Sequence, residues 1–138
     1  MGQQRFLPPV TTSSWQGTID ATAFPNRAVQ PKKTLSTLGL KAKGNISEDC
    51  LFLNIVSPEQ NTGMCPVLVW LHGGGFQNGS ANEYDGTVLS QQGQVVVVTV
   101  NSRLGPFGFL DLSRFGEKYK GSASNGFRDQ ILALGCER

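Results

Sequence analysis

Polar and apolar positions divide the chain into an irregular first third and a patterned remainder. Residues 1–45 are rich in Pro, Ser, Thr, Gly and Lys and hold no sustained period, which predicts irregular chain with short strand or helical pieces at most. "CLFLNIVSP" then runs apolar at nearly every position until Pro58, a strand expected over Leu51 to Val56. The polar stretch "EQNTGMC" reads as a turn. "PVLVWL" is short, apolar and rich in β-formers, so a buried strand is expected over Val67 to Leu71, ending at three glycines. "YDGTVLSQQG" suits a short helix closed by Gly93. In "QVVVVTVN" four valines follow one another without alternation, which predicts a strand over Val95 to Asn101 buried on both faces, as in a parallel sheet covered by helices. Finally, "NGFRDQILAL" offers Asn125 as an N-cap and spaces Phe127, Ile131 and Leu134 by four and three, the pattern of an amphipathic helix. Strands separated by helical crossovers define an α/β chain.

Composition narrows the function classes more than the fold. The 138 residues are 38% hydrophobic and 16% charged, suited to one globular domain with a real core. A net charge of +2, with only Lys32 and Lys33 adjacent among the basic residues, gives no stripe for a polyanion, so no nucleic acid partner is expected. No apolar run reaches the length of a membrane span. The start "MGQQRFLPPV" has neither a signal-peptide core nor a myristoylation pattern, and the compartment stays open. Cys50, Cys65 and Cys136 cannot all pair within one chain and lack metal-ligand spacing, so no metal is expected. No cofactor is expected either: "GGGFQNG" lacks the GxGxxG register, and no GK[ST] ending marks a phosphate loop.

The glycines in "LVWLHGGGFQNGS" carry the candidate chemistry. A run of Gly73, Gly74 and Gly75 costs backbone entropy and calls for a conformational or contact reason. Two readings are open at this point: a flexible surface turn, or a loop whose bare N–H groups must approach a substrate oxygen.

Several motifs then fall in one order: "RFLPPV", "WQGTIDATAF", "EDCLFLNI" (Glu48 to Ile55), "HGGGF" (His72 to Phe76), "VVVVTVNSRLGPFGFL" (Val95 to Leu110) and "DQILAL" (Asp129 to Leu134). From about Arg5 to Leu134 the chain resembles the type-B carboxylesterase/lipase family, which includes the cholinesterases. The resemblance implies part of an α/β-hydrolase fold, namely the N-terminal portion of its central, mostly parallel sheet with crossover helices. The implied activity is hydrolysis of small-molecule carboxylic esters. It also implies that Gly74 and Gly75 give two oxyanion-hole donors, the residue after the nucleophile giving a third. His72, Gly73 and Phe76 would line the pocket. Arg5 with Glu48, and Arg103 with Asp129, match two structural ion pairs of the family.

Other features depart from the family. Its serine nucleophile sits in a GxSxG elbow, and no such pentapeptide occurs here. The nearest decoy, Ser124 in "GSASNG", has Gly126 two residues after it but Ser122 two before, and lies on a polar loop. His72, the single histidine, corresponds to a loop residue beside the glycines and not to the general base, which arrives later in family chains. Residues 1–138 are therefore expected to form an incomplete domain that lacks the triad Ser, acid and His, with residues 135–138 as an anomalous tail. Arg128 stands where many members carry an apolar residue. "STLGLKAKGNIS" has no aromatic residue where cholinesterases hold their choline-binding Trp, which favours a general carboxylesterase. The alternatives are a non-catalytic adhesion or binding protein of the neuroligin kind, or an inactive fragment. Family members often pair the cysteine of "EDC" with one after "DATAFPN". Here that segment reads "RAVQ", so Cys50 is expected to lack its usual partner, and neither Cys65 nor Cys136 is a natural replacement. "NIS" and "NGS" are glycosylation sequons by pattern, which keeps secretion open.

Overall fold

The computed structural model describes residues 2–31, 43–59 and 63–135. Residues 136–138 of the tail, Cys136 among them, and most of "STLGLKAKGNIS" lie outside them, whereas Gly135 is described. Three strands, β1 (Leu53–Val56), β2 (Val67–Leu71) and β3 (Val96–Val100), form one sheet in the order β1-β3-β2. Among the described residues three α-helices accompany them: α1 (Thr87–Gly93), α2 (Gly105–Phe109) and α3 (Asn125–Gly135). β2 and β3 run parallel, with Val67 opposite Val96 and Leu71 opposite Val100, and α1 makes the crossover between them. β1 lies antiparallel on the other side of β3, with Leu53 opposite Val100. The sheet is thus mixed, an antiparallel edge strand added to a parallel βαβ unit, which is a common arrangement in α/β folds.

The valine strand is buried because it has a neighbour on each side. Val97, Val98 and Val100 are each 3% exposed or less. The start of α1 closes on them so tightly that a Cβ on Gly86 would lie 2.7 Å from Val97 Cγ1. β2 departs from expectation. Its hydrogen bonds to β3 leave both of its faces largely uncovered, and Val67 stays 55% and Trp70 42% exposed. Burial of a strand depends on what packs against it, and the apolar run alone does not say.

Three helix details also differ from the sequence reading. Gly93 is the last residue of α1, and the left-handed closing position falls one residue later, on Gln94 at φ 50°. Asn125 does not cap α3. It has helical φ and ψ, and its side-chain amide donates to Phe6 O at 2.8 Å, which fixes the N-terminal segment instead. The period of α3 is as expected, but its apolar stripe points outward: Phe127, Ile131 and Leu134 are all exposed, while Gly126 and Asp129 face inward. A Cβ on Gly126 would lie 2.4 Å from the Phe109 ring, so glycine sets the approach of α2 to α3. Arg128 is half-buried and lies across Gly121, in the space a Cβ there would need.

Exposed apolar side chains lie on β2 and α3 as well as on the N-terminal segment, α1 and the connecting loops, while Val97, Val98 and Val100 are covered, and this exposure combines with a strand edge that is unpaired among the described residues. The 138-residue chain expressed alone should aggregate or bind a hydrophobic dye strongly. A soluble monomer with a sharp cooperative melt and no dye fluorescence would contradict this.

Candidate active site

The glycine loop starts where β2 ends. His72 Nδ1–H donates to Gly73 O at 2.9 Å, and Gly74 O accepts from the N–H groups of Gln77 and Asn78 at 3.1 and 3.3 Å. That tight turn needs left-handed backbone: φ is 123° at Gly74, 59° at Gly75 and 60° at Phe76. At Gly74 the need is absolute, because a Cβ would lie 2.0 Å from Asn78 O. At Gly75 the space is open, with no atom within 4 Å of such a Cβ. Nothing in the structure explains Gly73, which has neither constraint.

Phe76 adopts its unfavourable φ because two contacts hold it. Its carbonyl accepts from Gly105 N–H at 2.6 Å, and its ring packs on Phe109 and Phe127 at centroid distances of 4.9 and 5.2 Å. Beyond the loop, Ser80 Oγ donates to Asn101 Oδ1 at 3.2 Å and accepts from Asn82 N–H at 3.1 Å. Asn101 Oδ1 also accepts from Ala81 N–H at 2.9 Å. All of these residues are buried, so a satisfied polar network at the end of β3 fixes the loop's exit.

The N–H groups of Gly74 and Gly75 donate to no acceptor among the described residues. His72, the three glycines and Phe76 line a cavity of about 180 Å³ together with Ser102, Leu104 and Gln130. Two adjacent donors held in fixed orientation beside a cavity can stabilise a developing negative charge on oxygen. Sequence reasoning did not place Ser102, Leu104 and Gln130 at the cavity, although the motifs "VVVVTVNSRLGPFGFL" and "DQILAL" contain them. Ser102 Oγ accepts from Gln130 Nε2 at 3.5 Å, and His72 Nε2 is buried without a partner among the described residues, so Ser102 and His72 do not form a nucleophile–base pair. Ser124 Oγ is committed to Gly121 O at 2.9 Å. A larger cavity of about 270 Å³ lies under the N-terminal segment and shares only Leu104 with the glycine cavity.

Both charged pairs singled out in the sequence meet. Arg103 grips Asp129 through Nε to Oδ2 at 2.9 Å and Nη2 to Oδ1 at 2.7 Å, and its Nη1 donates to Leu7 O at 2.7 Å. Arg5 Nε donates to Glu48 Oε2 at 2.8 Å, and a second bond joins Nη2 to Oε1. The pairing holds the Glu48 carboxyl below its ordinary range. Neither pair lines the glycine cavity.

Cys50 is a free, buried thiol packed with Ala28 and Leu104. Burial, with a smaller push from the Asp129 charge, raises its pKa from 9.0 to about 12. Because the folded value is the higher one, Cys50 contributes stability below about pH 9, and that contribution drains away as pH rises toward 12. Iodoacetamide near neutral pH should label Cys50 only after denaturation, and Cys50→Ala should flatten the alkaline loss of stability. Labelling of Cys50 in the folded protein would refute this account.

An α/β sheet with a glycine-rich loop at the end of a parallel strand, its N–H donors bare, is the frame of an α/β-hydrolase. The chain belongs to the carboxylesterase family, whose model matches residues 1–135. It is 46% identical over 136 residues to para-nitrobenzyl esterase of Bacillus subtilis (strain 168), covering 97% of this chain and 27% of that one. It is 42% identical over 143 residues to liver carboxylesterase 1 of Oryctolagus cuniculus, covering 97% and 25%. A solved structure of PNB esterase superposes with a TM-score of 0.87 at 44% identity over 96% of this chain and 27% of that one. The Geobacillus stearothermophilus carboxylesterase gives 0.82 at 42% identity over 96% and 26%. The chain spans about a quarter of the length of the curated relatives it matches. No helix among the described residues is long and apolar enough to cross a membrane.

Proposed function

We propose that this chain carries the oxyanion-hole portion of a carboxylic ester hydrolase acting on small-molecule esters, with Gly74 and Gly75 as donors. One observation carries the reading: two consecutive N–H groups, held in left-handed conformations by a tight turn, have no acceptor among the described residues and border a cavity. Attack of a serine oxygen on an ester carbonyl turns the carbonyl oxygen into an alkoxide. Donors already aimed at that oxygen need no reorganisation as the charge develops. The alkoxide then collapses and the C–O bond to the leaving group breaks; that oxygen departs as the alcohol by taking, through a general base, the proton that the serine gave up, leaving an acyl-enzyme for water to hydrolyse. His72 and Phe76 shape the pocket wall, and no metal or cofactor enters the steps.

The 138 residues hold the donors but no GxSxG elbow, so the chain alone should not hydrolyse aryl or alkyl esters above a buffer-and-albumin control. Turnover that survives purification and is lost in Ser124→Ala would overturn this expectation. Grafting residues 5–134 in place of the matched quarter of the Bacillus subtilis relative should yield an active esterase. A folded graft without activity would count against the oxyanion assignment.

A further inference from the structure

The far end of the glycine loop is held by a side chain from the irregular N-terminal region. Gln30 Nε2 donates to Gly79 O at 3.0 Å, and Gln30 Oε1 accepts from Gly79 N–H at 3.0 Å. The same Nε2 donates its second proton to Ala28 O at 3.1 Å. Only an amide fits this arrangement, because one group must give two hydrogen bonds and receive one within a single plane. Ala28 is itself buried with Cys50 and Leu104, so the amide ties Gly79 to the core.

Gly79 in turn presses on the first turn of the loop. Its φ is 106°, and a Cβ there would lie 2.4 Å from Gly73 O and 2.6 Å from His72 Nδ1. The Gly79 backbone therefore sits against the two residues immediately before Gly74. Any outward drift of Gly79 frees His72 and Gly73, and the orientation of the next two N–H groups goes with them.

We propose that Gln30 is a positioning residue for the oxyanion loop, clamping Gly79 so that the Gly74 and Gly75 donors keep one orientation. This inference rests on the oxyanion reading above. Gln30 lines neither cavity and touches no reacting atom. Its influence on rate is indirect, through donor placement, and small misplacements of catalytic groups are costly.

The test uses the grafted esterase, with kcat normalised to titrated active sites. Gln30→Leu removes all three bonds at similar bulk and should lower kcat by about tenfold to a hundredfold. KM should be unchanged, and exchange of the Gly79 amide should accelerate several-fold. Gln30→Glu keeps the acceptor for Gly79 N–H but sets a carboxylate oxygen against the Gly79 and Ala28 carbonyl oxygens, so it should lower kcat at least as far as Gln30→Leu. Gly74→Ala separates the two readings. If it abolishes kcat while Gln30→Leu stays within twofold of wild type, the donors stand and the clamp is wrong. If Gly74→Ala is silent, the oxyanion reading falls and the clamp with it. A loss in Gln30→Leu that lies in KM alone also overturns the proposal. Should Gln30→Leu not fold, full kcat and unchanged Gly79 exchange in Gln30→Glu would do the same.

Discussion

In the grafted esterase, Gly74→Ala should lower kcat by about 10²–10³-fold, the range expected for loss of one oxyanion donor. The added methyl would sit 2.0 Å from Asn78 O and 2.7 Å from Asn78 C, both backbone atoms that cannot swing aside. The residue must also leave φ 123°, a region that an L side chain rarely adopts. The turn that joins Gly74 O to Gln77 and Asn78 then opens, and the two donors lose their common aim. On the proposed oxyanion role KM should change little, because such donors act on charge that exists only as the carbonyl reacts. Gly75→Ala is the contrast. Its φ of 59° costs alanine about 1–2 kcal/mol, and no atom lies within 4 Å of the new methyl. That variant should fold, and its loss of kcat should be smaller. A Gly74→Ala enzyme within threefold of wild type would remove the oxyanion assignment.

The pattern of the chain made its strands legible because their signal is local. Four valines in a row require a covered strand, and β3 lies where they are. β2 occupies Val67–Leu71 as expected, yet its exposure was not legible, because it depends on partners the strand does not encode. In α3 the three-and-four spacing predicted the helix but not its orientation. Asp129 faces inward because Arg103 meets it there, which turns Phe127 and Ile131 toward the outside. The glycine run is visible in the sequence, but its supports are not. Gln30 and Gly79 are 49 residues apart, and Asn101 reaches back 20 residues to Ala81. Single polar side chains that act over such separations leave no periodicity and no motif. They emerge only when each buried donor and acceptor is traced to its partner.

Asp129→Ala should be strongly destabilising, costing the grafted enzyme about 3–5 kcal/mol of unfolding free energy. The Asp129 side chain is 1% exposed and that of Arg103 is 11%, so the guanidinium left behind can reach little water. The carboxylate also accepts from the Arg103 backbone N–H at 2.9 Å, which would lose its partner as well. Through Arg103 Nη1 and Leu7 O, the same pair anchors the N-terminal segment, so the damage should spread to residues around Leu7. Asp129→Asn can keep an acceptor where Oδ2 stood, for the Arg103 backbone N–H and Nε, but not the charge or the acceptor for Nη2, and its cost should be intermediate. Glu48→Ala is the matched comparison. It removes a carboxylate from an arginine in the same way, but the two side chains are 46% and 26% exposed, and water takes over the lost contacts. That change should cost about 1 kcal/mol or less. Urea unfolding of the three variants, compared through their midpoints at constant slope, measures the difference. Equal costs for Asp129→Ala and Glu48→Ala would show that burial does not set the value of these pairs.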